Sequence, residues 1–220
     1  MNKKIFTLIF GLFLFASCTS PEQQIKNAHD QFTQTLKAKE CKQVKSLPAG
    51  NGELLKHYLQ VCPFVKGKDQ IFYPSEPVLQ EITVSNDSAK AKINHKYAVD
   101  FVREEDQWQV IAPLWQVQLS AVTFLYALDL GYYDIAQVYS TKESNETIKL
   151  MEQFNKLSGN NSEQPEKSDL SIKIKDVKIY EDSARVYYEE ANATEELKLI
   201  PDKKLWKVDM NNIKLPADSL

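Results

Sequence analysis

The sequence predicts an α+β protein made of two tandem units, each a pair of helices followed by an antiparallel sheet. Three observations carry that prediction. Two stretches share one pattern, Glu81 to Ile93 running on to Trp108-Gln109-Val110, and Asp176 to Tyr188 running on to Trp206-Lys207-Val208. Each contains strands with apolar residues at every second place. Upstream of each lie stretches with apolar residues at helical spacing.

The chain opens with Lys3 and Lys4, continues through the apolar run Ile5 to Phe15, and closes that run with Ala16-Ser17-Cys18. This is the three-part build of a cleaved export signal. The run is too short to span a bilayer, which takes roughly 20 apolar residues. Phe15-Ala16-Ser17-Cys18 resembles the bacterial lipobox, with Phe15 where Leu is commoner. The resemblance implies cleavage after Ser17 and a lipidated Cys18 as the first residue of the mature chain. Several acyl chains on that cysteine make a stable anchor where one alone would be marginal. Thr19, in the place where Asp favours inner-membrane retention, points by the same resemblance to the outer membrane, facing the periplasm.

In the first unit, Ile25, Ala28, Phe32 and Leu36 form one helical stripe, and Leu54, Leu55, Tyr58 and Leu59 a second. Between them lies Pro48-Ala49-Gly50-Asn51-Gly52. Cys41 and Cys62 are the thiols that remain once Cys18 is lipidated, an even pair in an oxidising compartment, so a disulfide is expected. Closing that loop is worth typically about 2–4 kcal/mol.

The first meander then places Ile82 and Val84 on one strand, an Asp87-Ser88-Ala89 turn, and Ala89, Ala91 and Ile93 on the next strand. Val99 and Phe101 follow on a third strand, Glu104-Glu105-Asp106 turns the chain, and Trp108 and Val110 end the sheet. Short polar side chains that bond back to the local backbone suit such turns.

Pro113-Leu114-Trp115 reads as the junction. Ser120 to Leu157 then reads as helix. Val122, Leu125, Tyr126 and Leu128 come first; Ile135, Ala136 and Tyr139 follow a stop at Gly131; Ile148, Met151, Phe154 and Leu157 form the last stripe. Ser158 to Ser168 is a polar loop. The second meander repeats the first: Val177 and Ile179, a turn at Asp182, then Ala184, Val186 and Tyr188, then Leu197 and Leu199, and finally Trp206 and Val208.

The segment Thr123-Phe-Leu-Tyr-Ala-Leu-Asp-Leu-Gly-Tyr-Tyr-Asp-Ile-Ala-Gln-Val-Tyr139 resembles the opening helices of the nuclear transport factor 2-like superfamily, and particularly its small lipoprotein domains of unknown function. Tyr132 stands where that family often has Asp. The resemblance implies two cone-like domains, each with helices packed on a curved antiparallel sheet: residues 18–113 and 114–220, after a signal peptide at 1–17.

Charge and chemistry narrow the function. Loss of Lys3 and Lys4 from 27 basic residues leaves 25 against 30 acidic ones, a balance of −5. Arg103 and Arg185 are the only arginines, so nothing recruits nucleic acid by charge. No metal, phosphate-loop or serine-nucleophile pattern occurs, and no cofactor is called for. His29-Asp30 lies on the first helix, where sequence neighbours do not face each other; it reads as solvated. His95 and Tyr97, in phase with Ile93, are the candidate pocket residues of the first cone. Superfamily enzymes place an Asp and a His, or a Tyr, in the mouth of the cone.

The sequence therefore points to a lipid-anchored, non-enzymatic binding or interaction module, with the membrane as one partner through Cys18 and an envelope protein as a compatible second. The alternatives are a small-ligand carrier or enzyme using His95 and Tyr97, and an immunity or inhibitor protein of the envelope.

Overall fold

The computed structural model describes residues 19–37, 52–64, 76–158, 172–190, 193–203 and 205–212. The export segment, Cys18, Cys41, residues 159–168 of the polar loop and the side chain of Leu36 lie outside the described residues. Within them the chain is α+β, with two four-stranded antiparallel sheets.

The first sheet runs in the order β1 (Leu79–Ser85), β2 (Ser88–Ile93), β3 (Tyr97–Glu104), β4 (Gln107–Ile111); the second in the order β5 (Lys173–Ile179), β6 (Ala184–Glu190), β7 (Ala193–Asp202), β8 (Leu205–Asp209). The sequence repeat is also a repeat of register. Ala89 sits opposite Val84 and Phe101, and Phe101 opposite Val110. Ala184 sits opposite Ile179 and Leu199, and Leu199 opposite Val208.

Both first strands break register in their first halves, between Gln80 and Thr83 and between Ile174 and Asp176, the second break lying a residue or so nearer the strand start. A bulge bends its strand and increases the local twist, so each sheet has a bend in its first strand. The side chains expected inward on the second and third strands of each sheet are all buried. Trp108 is buried too, whereas its counterpart Trp206 is only half-buried. Between β3 and β4, Glu105 and Asp106 both take left-handed φ, 47° and 63°, which a tight two-residue hairpin demands.

Helix α1 (Pro21–Lys37) lays Ile25, Ala28 and Phe32 against the first sheet, touching β1 and β4. Helix α2 (Gly52–Val61) buries Leu54, Tyr58 and Val61. The next helix, α3 (Pro113–Asp129), departs from expectation because it starts at Pro113, not Ser120. Proline is at home in a first helical turn, where its missing N–H costs nothing. The periodicity gave no hint of this start, since α3 is buried almost all round, including Leu114, Trp115, Val117, Leu119 and Phe124. A helix enclosed on every side shows no apolar stripe.

α3 packs against α2 of the first unit, touches β3, and covers the second sheet. Phe32 of α1 meets Trp115 edge to face at 5.5 Å. The buried side chains of both units accordingly form one continuous core, with α3 as the shared member. Each fully buried Leu or Phe on it contributes about 1.5–3 kcal/mol through lost apolar exposure.

α3 ends as expected at Gly131. There φ is +73°, Gly131 N–H donates to Leu128 O at 3.1 Å and Tyr132 N–H to Ala127 O at 2.8 Å. These two bonds satisfy the last carbonyls of the helix. Helix α4 (Tyr133–Val138) follows, and then residues 139–141 run beside β8, with Val208 N–H donating to Tyr139 O at 2.7 Å and Thr141 N–H to Val208 O at 3.0 Å. They cover the far edge of the second sheet.

Helix α5 (Lys142–Leu157) is capped by the Thr141 hydroxyl, which accepts from Ser144 N–H at 3.3 Å. The buried Ser144 hydroxyl in turn accepts from Met210 N–H at 2.8 Å. The stripe predicted here is only half correct: Ile148 is buried and Met151 half-buried, but Phe154 is 67% and Leu157 85% exposed. α5 meets α4, β8 and the turn at Met210–Asn212, and in its second half Phe154 and Leu157 point away from these contacts.

Candidate functional site

A half-open cleft of about 480 Å³ lies between the two units. One wall is the start of β3, Lys96 to Ala98; the floor is Pro113 and Leu114 at the start of α3; the other wall is β5 and the residue after it, Asp176 to Tyr180. Each wall follows from local sequence. The turn before β3 uses Asn94 and His95 at left-handed φ of 50° and 56°. The Asn94 amide accepts from Val78 N–H at 2.9 Å and donates to Glu76 O at 3.3 Å, pinning the turn to the chain that enters β1. Tyr97 then pairs with Ile93 and begins the strand.

Lys96 Nζ stands 4.7 Å from the centre of the Tyr97 ring, and Lys178 Nζ 5.1 Å from that of Tyr187. Such cation–ring contacts hold lysines over apolar surface. Tyr97 chiefly, and Asp176 across the cleft to a lesser degree, raise the Lys96 ammonium above its ordinary value. Asp176 accepts from Val177 N–H at 2.9 Å. Ile179 and Tyr180 remain substantially exposed at the rim.

Of the two residues expected in a pocket, Tyr97 lines this cleft and His95 does not. His95 is 68% exposed and sits 3.0 Å from Glu81 Oε1 on the outside of the first sheet. The alternation from Ile93 stops at the turn, and the positive φ of Asn94 and His95 swings the imidazole away. Glu81, at the bulge in β1, also meets Lys92 at 2.7 Å; Lys92 first and His95 second hold its carboxyl below the usual range.

His29 also departs from expectation. It is 1% exposed, in the packed face of α1, although its Nδ1 does stand 3.7 Å from exposed Asp30 Oδ1. Burial lowers its pKa below 6.5 against the opposing pull of Asp30. Its place one residue after Ala28 on the buried stripe was the available signal.

A pair that the sequence reading did not assemble joins the two units elsewhere. His57 Nδ1 lies 3.2 Å from the Tyr139 hydroxyl, with the rings edge to face at 5.6 Å. Tyr139 is fully buried, and burial pushes its phenol up. Burial likewise lowers His57, although Glu53 pulls the other way. The pair sits in packed surroundings away from the cleft residues and reads as a structural tie. His57 falls three residues after Leu54 and four before Val61, so helical spacing placed it on the packed face.

Cys62 is buried just after α2; Cys18 and Cys41 lie outside the described residues. Among the described residues no cluster of His, Cys, Asp and Glu has the makings of a metal site, and no helix is long and apolar enough to cross a membrane. No protein family, curated protein or solved structure matches the chain.

Proposed function

We propose that the chain is an envelope lipoprotein, cleaved ahead of Cys18 and held by its lipids at the outer membrane, whose two nuclear transport factor 2-like halves make a non-enzymatic binding module. The observation that carries the binding reading is the cleft between the units. Its walls offer carbon surface from Pro113, Leu114, Val177 and Ile179, tyrosine rings, and a lysine on either side. These groups hold and orient a partner. With Cys18 lipidated, Cys41 is the remaining cysteine in the chain to pair with Cys62, and that disulfide belongs to the proposal.

A cleft of this volume also falls in the roughly 300–1,000 Å³ range of small-molecule sites, which favours a ligand carrier as the second reading. Native mass spectrometry of the protein purified gently from its own envelope separates the two. A stoichiometric protein adduct supports the interaction module. An added mass of a few hundred daltons lost on Tyr97→Ala supports the carrier, and a bare chain in both preparations refutes a binding role for the cleft. Cys18→Ala should leave an unlipidated precursor; normal acylation of that variant overturns the anchor.

A further inference from the structure

Among the described residues no strand of the second sheet pairs with the outer side of β5. The sheet order places it outermost, and the described pairing beyond the sheet, Ser140 with Val208, is at the opposite edge. Successive side chains of a strand point to opposite faces. A cavity lining that takes every residue from Asp176 to Tyr180 in turn therefore fronts the strand's edge, not one of its faces. The Val177 N–H bears this out, since it donates to the carboxylate of Asp176 beside it in place of a neighbouring strand.

The charges on that edge discriminate among occupants. β5 carries Lys173, Lys175 and Lys178, and Lys96 stands on the facing wall. Lys175 is engaged by Glu189, while Lys96 and Lys178 lie over tyrosine rings with their ammonium groups exposed. A second copy of β5 laid against this edge would bring lysine against lysine, the standard guard against self-pairing. A strand bearing carboxylates meets Lys96 on one wall and Lys178 on the other, in a register that keeps its carboxylates off Asp176, whose own carboxylate is taken up by the Val177 N–H. The exposed Ile179 and Tyr180 give its apolar side chains carbon to cover.

We propose that the cleft takes an extended acidic segment of another protein, alternating carboxylate and aliphatic side chains, which adds as a fifth strand to the outer edge of β5. Main-chain bonds to β5 supply affinity, and Lys96 and Lys178 supply the preference for acid. The five residues of the wall span about 17 Å of strand, enough for a segment of similar length. This rests on the binding-module reading and names its partner's chemistry.

The test uses the full mature chain and a fluorescent Glu-Val-Glu-Val-Glu-Val peptide, followed by anisotropy. Saturable binding is expected, at least tenfold weaker for the Lys-Val counterpart. N-methylation of alternate peptide amides, which removes main-chain donors and keeps the side chains, should cost at least tenfold. The double variant Lys96→Glu, Lys178→Glu, both exposed positions, should keep the circular dichroism spectrum and reverse the charge preference. Equal binding of the N-methylated peptide overturns strand addition, and equal binding of acidic and basic peptides overturns the charge argument. Absence of peptide binding, together with a native protein adduct, overturns this proposal while leaving the binding-module reading standing.

Discussion

Replacing Leu119 by Ala tests whether the two units share a core or merely adjoin. Leu119 is fully buried on α3, the helix that packs on α2, touches β3 and covers the second sheet. Truncating a buried Leu costs about 2–5 kcal/mol, the spread reflecting how far the cavity collapses. With a urea slope of about 2 kcal/mol per M, the unfolding midpoint should fall by roughly 1–2.5 M. The three tryptophans allow each unit to be watched separately, because Trp108 is on β4 and Trp206 on β8. Trp115→Phe silences the third; the buried indole N–H it removes has no acceptor among the described residues, so no hydrogen bond is lost. Chains retaining only Trp108 or only Trp206 should unfold at one midpoint, and Leu119→Ala should lower both reporters equally. Two separate transitions, with Leu119→Ala moving Trp206 alone, would falsify the shared core and make residues 113–129 property of the second unit.

The remaining predictions use the same unfolding assay. Gly131→Ala should destabilise by about 1–2 kcal/mol, because φ is +73° there while the added Cβ would meet nothing nearer than 3.9 Å; Gly131→Asn should recover part of the loss, and an unchanged midpoint for Ala would refute the backbone argument. His29 and His57 are both held below 6.5 in the folded chain, burial being the largest cause for each. Their contribution is therefore fully present above pH 6.5 and is lost as pH falls through the lowered folded values. His57→Phe should flatten the fall in stability between pH 7 and 5, and an unaltered pH profile would show that His57 does not titrate on unfolding as argued. Phe154→Ser should move stability by less than about 0.5 kcal/mol, as for an ordinary surface site, while Ile148→Ala on the same helix should cost about 2–5 kcal/mol; the reverse order would mean that α5 is rotated in solution.

The periodicity of two was the most readable signal, because one face of each sheet is covered and the other is wet. Ala89, Ala91 and Ile93, and their counterparts Ala184, Val186 and Tyr188, could be assigned inward from alternation alone, and all are buried. The helical period succeeded for α1, which has one buried face, and missed the start of α3, where enclosure on every side leaves no stripe to see. It also carried the buried stripe of α5 too far: Phe154 and Leu157 continue the spacing of Ile148 and Met151 but are exposed. The pocket expected in the mouth of the first cone is not the cleft between the units, although Tyr97 belongs to the lining of that cleft. Tyr97 was reached by counting along the strand, and the same count failed for His95 because two left-handed residues interrupt the phase.

The cleft itself was beyond the sequence because it belongs to neither repeat. Matching Val84 with Ile179 through their partners Ala89 and Ala184 sets Thr83 against Lys178 and Ser85 against Tyr180. The first strand of the first unit thus has small polar residues where the first strand of the second has a cation and a ring. A duplicated scaffold alone would offer two equivalent edges, β1 and β5, with equivalent surfaces. Here the shared helix α3 brings the start of β3 from one unit beside β5 from the other, and these are non-equivalent elements, so the cleft forms once. Lys178 and Tyr180 fall on that single cleft, and the β1 positions that match them carry neither. Placing lysine and tyrosine at Thr83 and Ser85 should consequently leave peptide binding unchanged, because β1 has no facing wall from the other unit among the described cleft residues. A second equivalent of acidic peptide bound by Thr83→Lys, Ser85→Tyr would show that the edge suffices and the facing wall contributes nothing.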